Sequence, residues 1–185
     1  MNFKGKNILV VGESSGIGLS LVKFLHEDVT SEFVSIVEFL PELLHGLVYS
    51  VGSINLKPSN RLSTDDFLND YRLNVLGAVQ IIQQSLKQLK NAAGASIVLI
   101  SSVAARIGLP YHASISAAKG GVEGLALALA AELATQQIRV NVVAPSLTET
   151  PHPGKARSIC QKTSFGKIRS AGRYQPGDSV FAFRK

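Results

Sequence analysis

Three glycines set the first chemical expectation. In Gly12-Glu-Ser14-Ser15-Gly16-Ile17-Gly18 the backbone can turn sharply and stay bare of side chains. Between an apolar run and a helical pattern, such a turn aims the free N–H groups of a helix start outward, where a pyrophosphate can be held. The candidate contacts are Gly12, Ser14, Ser15, Gly16, Ile17 and Gly18. A ligand-free strand-to-helix turn would also accept these glycines, but needs fewer. Two further residues carry ionisable groups. Lys119 lies in a helical stretch otherwise lined with small residues, so its ammonium either snorkels to solvent or is turned inward for a purpose. His112 opens the same stretch and titrates in the range useful for general acid/base work, although a histidine at a helix start is more often a cap or a surface group. No residue is assigned to a metal.

The elements that must position these groups follow from apolar runs and their punctuation. Asn7–Val11, Gly46–Val51, Ser96–Ser101 and Arg139–Ala144 read as four short strands, and their lack of polar alternation suits a buried parallel sheet. Ile17, Leu21 and Leu25 recur at helical spacing in a first helix from Ile17 to His26. Asp65 to Lys90 reads as one long helix with Ser63 or Thr64 as its N-cap, and His112 to Ala134 as a second. Glu32 to Leu44 reads as one short amphipathic helix. Strands alternating with helices predict an α/β fold, a Rossmann-like doubly wound parallel sheet, here reduced to about four core strands.

Composition narrows the class. The chain has 185 residues, 45% apolar and 17% charged, which is enough for one globular core. The net charge of +6 divides unevenly: residues 1–150 hold 11 Lys+Arg against 12 Asp+Glu, and residues 151–185 hold 8 against 1. A nucleotide-binding domain over 1–150 and a basic tail over 151–185, irregular or partly helical, is the expected organisation. The tail could meet nucleic acid or anionic lipid, but composition alone carries that reading and a solvated end explains it equally well. A single cysteine, Cys160, excludes an internal disulfide and fits a reducing compartment. No apolar run reaches the roughly 18 residues of a membrane span, and the expectation is a cytoplasmic protein without a membrane partner.

Taken in order, several motifs resemble the short-chain dehydrogenase/reductase family from Lys4 to about Pro151. The Gly-x-x-x-Gly-x-Gly spacing of Gly12, Gly16 and Gly18 is the family's version of the glycine turn. Asp28-Val29-Thr30 resembles the element near the adenine ring, and Tyr49-Ser50-Val51-Gly52 stands where the family has Asn-Asn-Ala-Gly, with only Gly52 matching. Asn74 matches the helix asparagine that supports a water linking to the lysine. Ser102 matches the serine that bonds the substrate oxygen, and Lys119 the lysine that binds the nicotinamide ribose. Thr150 matches the threonine of the loop over the nicotinamide. From the residues alone, Asn74 could equally hold a helix bend and Ser102 could be a strand-end hydroxyl. The resemblance implies NAD or NADP as cofactor, a small carbonyl or alcohol as substrate, and a homodimer or homotetramer. In that assembly the two long helices would meet through the small residues Ala117, Ala118, Gly121, Gly124 and Ala128, though ordinary helix-on-sheet packing would use them too.

Three departures accompany the resemblance. The tyrosine expected four residues before Lys119, general acid/base of the family, is Ile115, which can neither give nor take a proton. His112, ahead of Tyr111, is then the candidate substitute donor. His26 runs almost directly into Asp28, so the strand that would carry the adenine-ribose reader has no counterpart. The tail lacks the family's substrate-covering lid and final strand, keeping only a Gln175-Pro-Gly-Asp178 echo. Two readings follow: an NAD(P)-linked oxidoreductase with a replaced proton donor, or a degenerate member serving as a nucleotide-binding or interaction module.

Overall fold

Glycine and proline punctuation places the strands where expected. The computed structural model describes residues 3, 5–12, 17, 18, 20, 21, 40–53, 55–146 and the backbone of 180–183. Four parallel strands, β1 (Ile8–Val11), β2 (Gly46–Tyr49), β3 (Ser96–Ile100) and β4 (Arg139–Pro145), lie side by side in sequence order. Their registers pair Ile8 with Gly46, Gly46 with Ser96 and Ser96 with Arg139, so the strand starts are level and their C-terminal ends share one edge. β2 stops two residues earlier than its apolar run suggests.

The crossovers are α1 (Thr64–Tyr71), α2 (Gly77–Asn91), a short α3 (Ala104–Ile107) and α4 (Ala113–Leu133). Ser63 is the N-cap of α1: its hydroxyl accepts from the Asp66 N–H while the Asp66 carboxylate accepts from the Ser63 N–H, closing a capping box. Leu47, Ile97 and Leu99 on the sheet pack with Ile82, Leu89, Val122, Ala126 and Leu133 of the helices to form the core. β3 alternates buried and half-buried residues, so one sheet face is sealed by the helices more completely than the other.

Four expectations are corrected. The long helix predicted over Asp65–Lys90 is broken by a π turn at Arg72–Leu76, where one residue more than an α turn is accommodated. Leu40–Leu44, the described end of the predicted Glu32–Leu44 helix, is irregular; Pro41 has no N–H to donate and turns its predecessor away from helical backbone. Not all five small residues of α4 are open to a partner helix: Ala118 is buried within the chain and a methyl on Gly121 would press on Val75 at 3.2 Å, whereas Ala117, Gly124 and Ala128 face outward. The tail is not irregular throughout, because Val180–Phe183 forms β5, antiparallel to β4 in the register Val142 to Phe183. Its backbone pairs the edge that β4 would otherwise expose. Of the predicted first helix, Ile17, Gly18, Ser20 and Leu21 are helical, and the rest lies outside the described residues.

Candidate active site

The aligned strand ends gather three of the candidate residues. At the end of β1, Gly12 adopts φ +95, and a side chain there would strike the backbone of Ser50 and Val51 within 2.9 Å. Gly18 lies so close that a methyl on it would run into the Gly12 carbonyl and Ser50 Oγ. The Ser50 hydroxyl is directed at the carbonyls of Val11 (3.0 Å) and Gly12 (3.2 Å), fastening the turn to β2. The helix start therefore comes into backbone contact with the strand end, which is the close approach a phosphate-binding turn requires. Ile17 is helical and partly exposed beside it. Ser14, Ser15, Gly16, Asp28 and Thr150 lie outside the described residues.

Gly52, just past β2, opens the second part of the site. A Cβ there would lie 3.4 Å from Lys119 Nζ and 3.5 Å from Asn74 Oδ1, so this glycine leaves a small cradle bounded by both groups. Asn74 sits inside the π turn and is 1% exposed. Its amide donates to the Asp70 carbonyl at 2.8 Å, supporting the widened turn, while Oδ1 is buried without a partner among the described residues. The helix-bend role and the site role thus use opposite ends of one amide.

Lys119 is 7% exposed, and its ammonium donates to the Ile100 carbonyl at 2.8 Å at the end of β3. Burial strips water from the charge and brings its pKa down to about 8, against which the Asp70 carboxylate acts by attraction. An inward lysine beside an unpartnered amide oxygen is not a solvated surface group. These residues fit the ribose and nicotinamide half of a dinucleotide: two polar groups face a glycine cradle, next to a backbone turn suited to phosphates.

Ser102 follows β3, half-buried, and its Oγ accepts from the Ala104 N–H at 3.2 Å, at the start of α3. Ile115 lies one turn before Lys119 on α4, on the same helix face, and is 6% exposed. His112 is not brought to this cluster. It is the N-cap residue of α4, with Nδ1 2.7 Å from the Pro110 carbonyl. Because a carbonyl only accepts, Nδ1 holds the proton and Nε2 is the nitrogen open to a ligand. His112 lines a separate cleft of about 360 Å³ with Lys57, Ser59, Leu109, Tyr111 and Ser116, none of them the cluster residues. Tyr111 has φ +68 and stands exposed at the rim, its carbonyl accepting from the Lys57 N–H at 3.2 Å.

Sequence reasoning missed Asp70 and Ser53. The Ser53 hydroxyl donates to Asp70 Oδ1 at 2.6 Å, and Asp70 is 3% exposed. The available signal was spacing: Asp70 precedes Asn74 by four residues and so shares its helix face. Also unforeseen is the outer support, where the Ser101 hydroxyl donates to Glu123 Oε1 at 2.9 Å and Arg106 Nε pairs with Glu123 Oε2 at 2.8 Å.

Comparison with known proteins completes the picture. The model of the short chain dehydrogenase family matches residues 26–160. The 2,3-dihydro-2,3-dihydroxybenzoate dehydrogenase of Escherichia coli is 30% identical over 182 residues, covering 81% of this chain and 72% of that enzyme. The 3-oxoacyl-acyl-carrier-protein reductase of Thermotoga maritima is 27% identical over 219 residues, covering 97% of this chain and 89% of that enzyme. Among solved structures, a short-chain alcohol dehydrogenase-like protein from Sinorhizobium meliloti superposes with a TM-score of 0.72 at 25% identity, over 85% of this chain and 78% of that one. A variant of ElxO with NADPH bound gives 0.68 at 25% identity, over 79% of this chain and 75% of that one.

Proposed function

The chain belongs to the short-chain dehydrogenase family, and from that premise we propose that it binds NAD or NADP and acts as an oxidoreductase on a small carbonyl or alcohol. The observation that carries the reading is the buried Lys119 ammonium facing Asn74 Oδ1 across the Gly52 cradle. A bound nicotinamide would supply the hydride. Of the chain's own groups, Gly12 and Gly18 would admit the pyrophosphate, with Ser14, Ser15, Gly16 and Ile17 beside it. Lys119 would hold the ribose hydroxyls, Ser102 would orient the substrate oxygen, and Asp28 and Thr150 would complete the nucleotide contacts. Ile115 supplies no proton, so turnover is slow unless another group delivers one. His112 lies in the neighbouring cleft and not at the cradle, so it is the proposed substitute only for a substrate that reaches from the cradle into that cleft. In His112→Ala, carbonyl reduction is expected to fall by about 10²-fold or more, the usual loss of an acid/base. Unchanged turnover in a stopped-assay comparison removes His112 from the mechanism.

The buried apolar wall at Ile115 favours a second reading, a family member that binds the nucleotide and turns nothing over. Binding without turnover, with activity gained on restoring a phenol, distinguishes it from the first.

The proposed assembly is a homodimer or homotetramer of cytoplasmic protein. Among the described residues no helix is long and apolar enough to cross a membrane. Support for self-association comes from Phe67, Leu68 and Tyr71 of α1 and Leu127 of α4, all exposed large apolar side chains, with Leu127 at 62% beside the outward Gly124 and Ala128. Leu127→Asp is expected to shift the mass measured by light scattering from oligomer toward monomer. A wild-type protein that is already monomeric contradicts this part.

A further inference from the structure

We propose that Asp70 is the built-in counter-charge of Lys119, a positioning residue that keeps the ammonium protonated and aimed at the Gly52 cradle. The proposal rests on the nucleotide-binding reading for its consequence, but not for its physical content. Four observations converge. Asp70 is a carboxylate with 3% exposure, and a buried anion is stable only when paired or hydrogen-bonded. The Ser53 hydroxyl, one residue past Gly52, fixes Oδ1 at 2.6 Å and so sets which oxygen remains available. That second oxygen, Oδ2, is buried with no hydrogen-bond partner among the described residues. The Asp70 main chain is in turn tied to Asn74 at 2.8 Å, and the free end of Asn74 borders the same cradle as Lys119 Nζ. Ser53, Asp70, Asn74 and Lys119 thus lie around Gly52 as one largely buried polar cluster, in which the Asp70 carboxylate attracts the Lys119 ammonium without a direct ion pair.

The other titratable groups nearby do not serve this purpose. Glu123, one turn further along α4, is engaged by Ser101 and by Arg106. The Tyr49 hydroxyl on β2 donates to the Leu73 carbonyl at 2.6 Å. Tyr71 lies against the Gly121 side of α4. Attraction from Asp70 opposes the loss of ammonium charge that burial drives. An uncharged lysine would keep its reach but lose the charge-assisted part of any bond to a ribose hydroxyl.

The test is the titration of the Lys119 side chain by NMR, with lysine labelled at Cε, in the nucleotide-free protein. Lys119→Arg assigns the signal. Asp70→Asn is expected to lower the Lys119 midpoint by about half a pH unit or more, roughly threefold in proton affinity. Ser53→Ala, which frees the carboxylate without removing it, is expected to give a smaller shift and guards against a misfolded Asp70→Asn. An Asp70→Asn midpoint equal to wild type overturns the proposal, as does a folded Asp70→Glu, which keeps the charge, that titrates as low as Asp70→Asn. A second readout links the cluster to binding: NADPH affinity of Asp70→Asn falls up to about threefold above pH 8 and converges on wild type below about pH 7, where Lys119 is protonated in both. A uniform loss at every pH marks a merely structural role. If wild type binds neither NADH nor NADPH, the nucleotide reading fails while the titration still decides the Asp70 assignment.

Discussion

If no group replaces the missing phenol, Ile115→Tyr is expected to raise carbonyl reduction over wild type by about 10²–10⁴-fold, the range that a positioned acid/base contributes; a working His112 would leave a much smaller gain. Ile115 lies four residues before Lys119 on α4, so the two side chains share one helix face. It is buried, and a phenol introduced there that approached the Lys119 ammonium would have its pKa lowered by the positive charge. The larger ring must be accommodated, and overpacking of this kind costs about 1–3 kcal/mol. Ile115→Phe carries the same steric load without the hydroxyl and is the control. Activity gained equally by both variants, or by neither, shows that the absent phenol is not what limits turnover.

Lys119→Met is expected to stabilise the protein while abolishing nucleotide binding. Burial lowers the Lys119 pKa from 10.5 to about 8, which corresponds to about 3 kcal/mol of unfavourable free energy when the group is charged. The unfolded chain binds the proton more tightly, so this cost is present in full below about pH 8. It is relieved as pH rises from about 8 to 10.5, where native stability increases on account of this group. Methionine removes the cost but leaves the Ile100 carbonyl without its donor, worth about 1 kcal/mol. The net gain at neutral pH is about 2 kcal/mol, read as a higher midpoint in urea unfolding and a flatter stability profile above pH 8. Lower stability in Lys119→Met would mean that the ammonium holds the fold together and is not a site group maintained at the fold's expense.

The sheet was legible because its strands are short apolar runs closed by glycine or proline: Val11 meets Gly12, Ser96–Ile100 follows Gly94, and Arg139–Pro145 ends on its proline. Gly52, Asn74 and Lys119 were legible as an ordered set, and the fold brings them together at one cradle. Other features were not. A π turn adds a single residue to a helix and barely disturbs the apolar spacing on either side, so Arg72–Leu76 reads as more helix. Asp70 looks like one more acidic residue on an amphipathic helix, because burial of its face depends on α4 crossing α1. β5 is four residues long within a lysine- and arginine-rich stretch, and its strand character comes from the β4 edge it pairs with. His112 shares helical spacing with Ile115, yet its bond to Pro110 sets the ring into a different cleft. Spacing along a helix identifies neighbours within it; which neighbour faces the site is decided by tertiary packing.

If this buried cluster holds a nicotinamide nucleotide, the binding is measurable in solution. The most direct measurement is a fluorescence titration of purified protein with NADH and with NADPH, alongside Lys119→Met and Gly18→Ala. Saturable binding of at least one nucleotide is expected in wild type. It should be lost in Lys119→Met, and also in Gly18→Ala, where the added methyl would meet the Gly12 carbonyl. No saturable binding of either nucleotide to folded wild-type protein, or binding unaffected by both substitutions, would contradict the account.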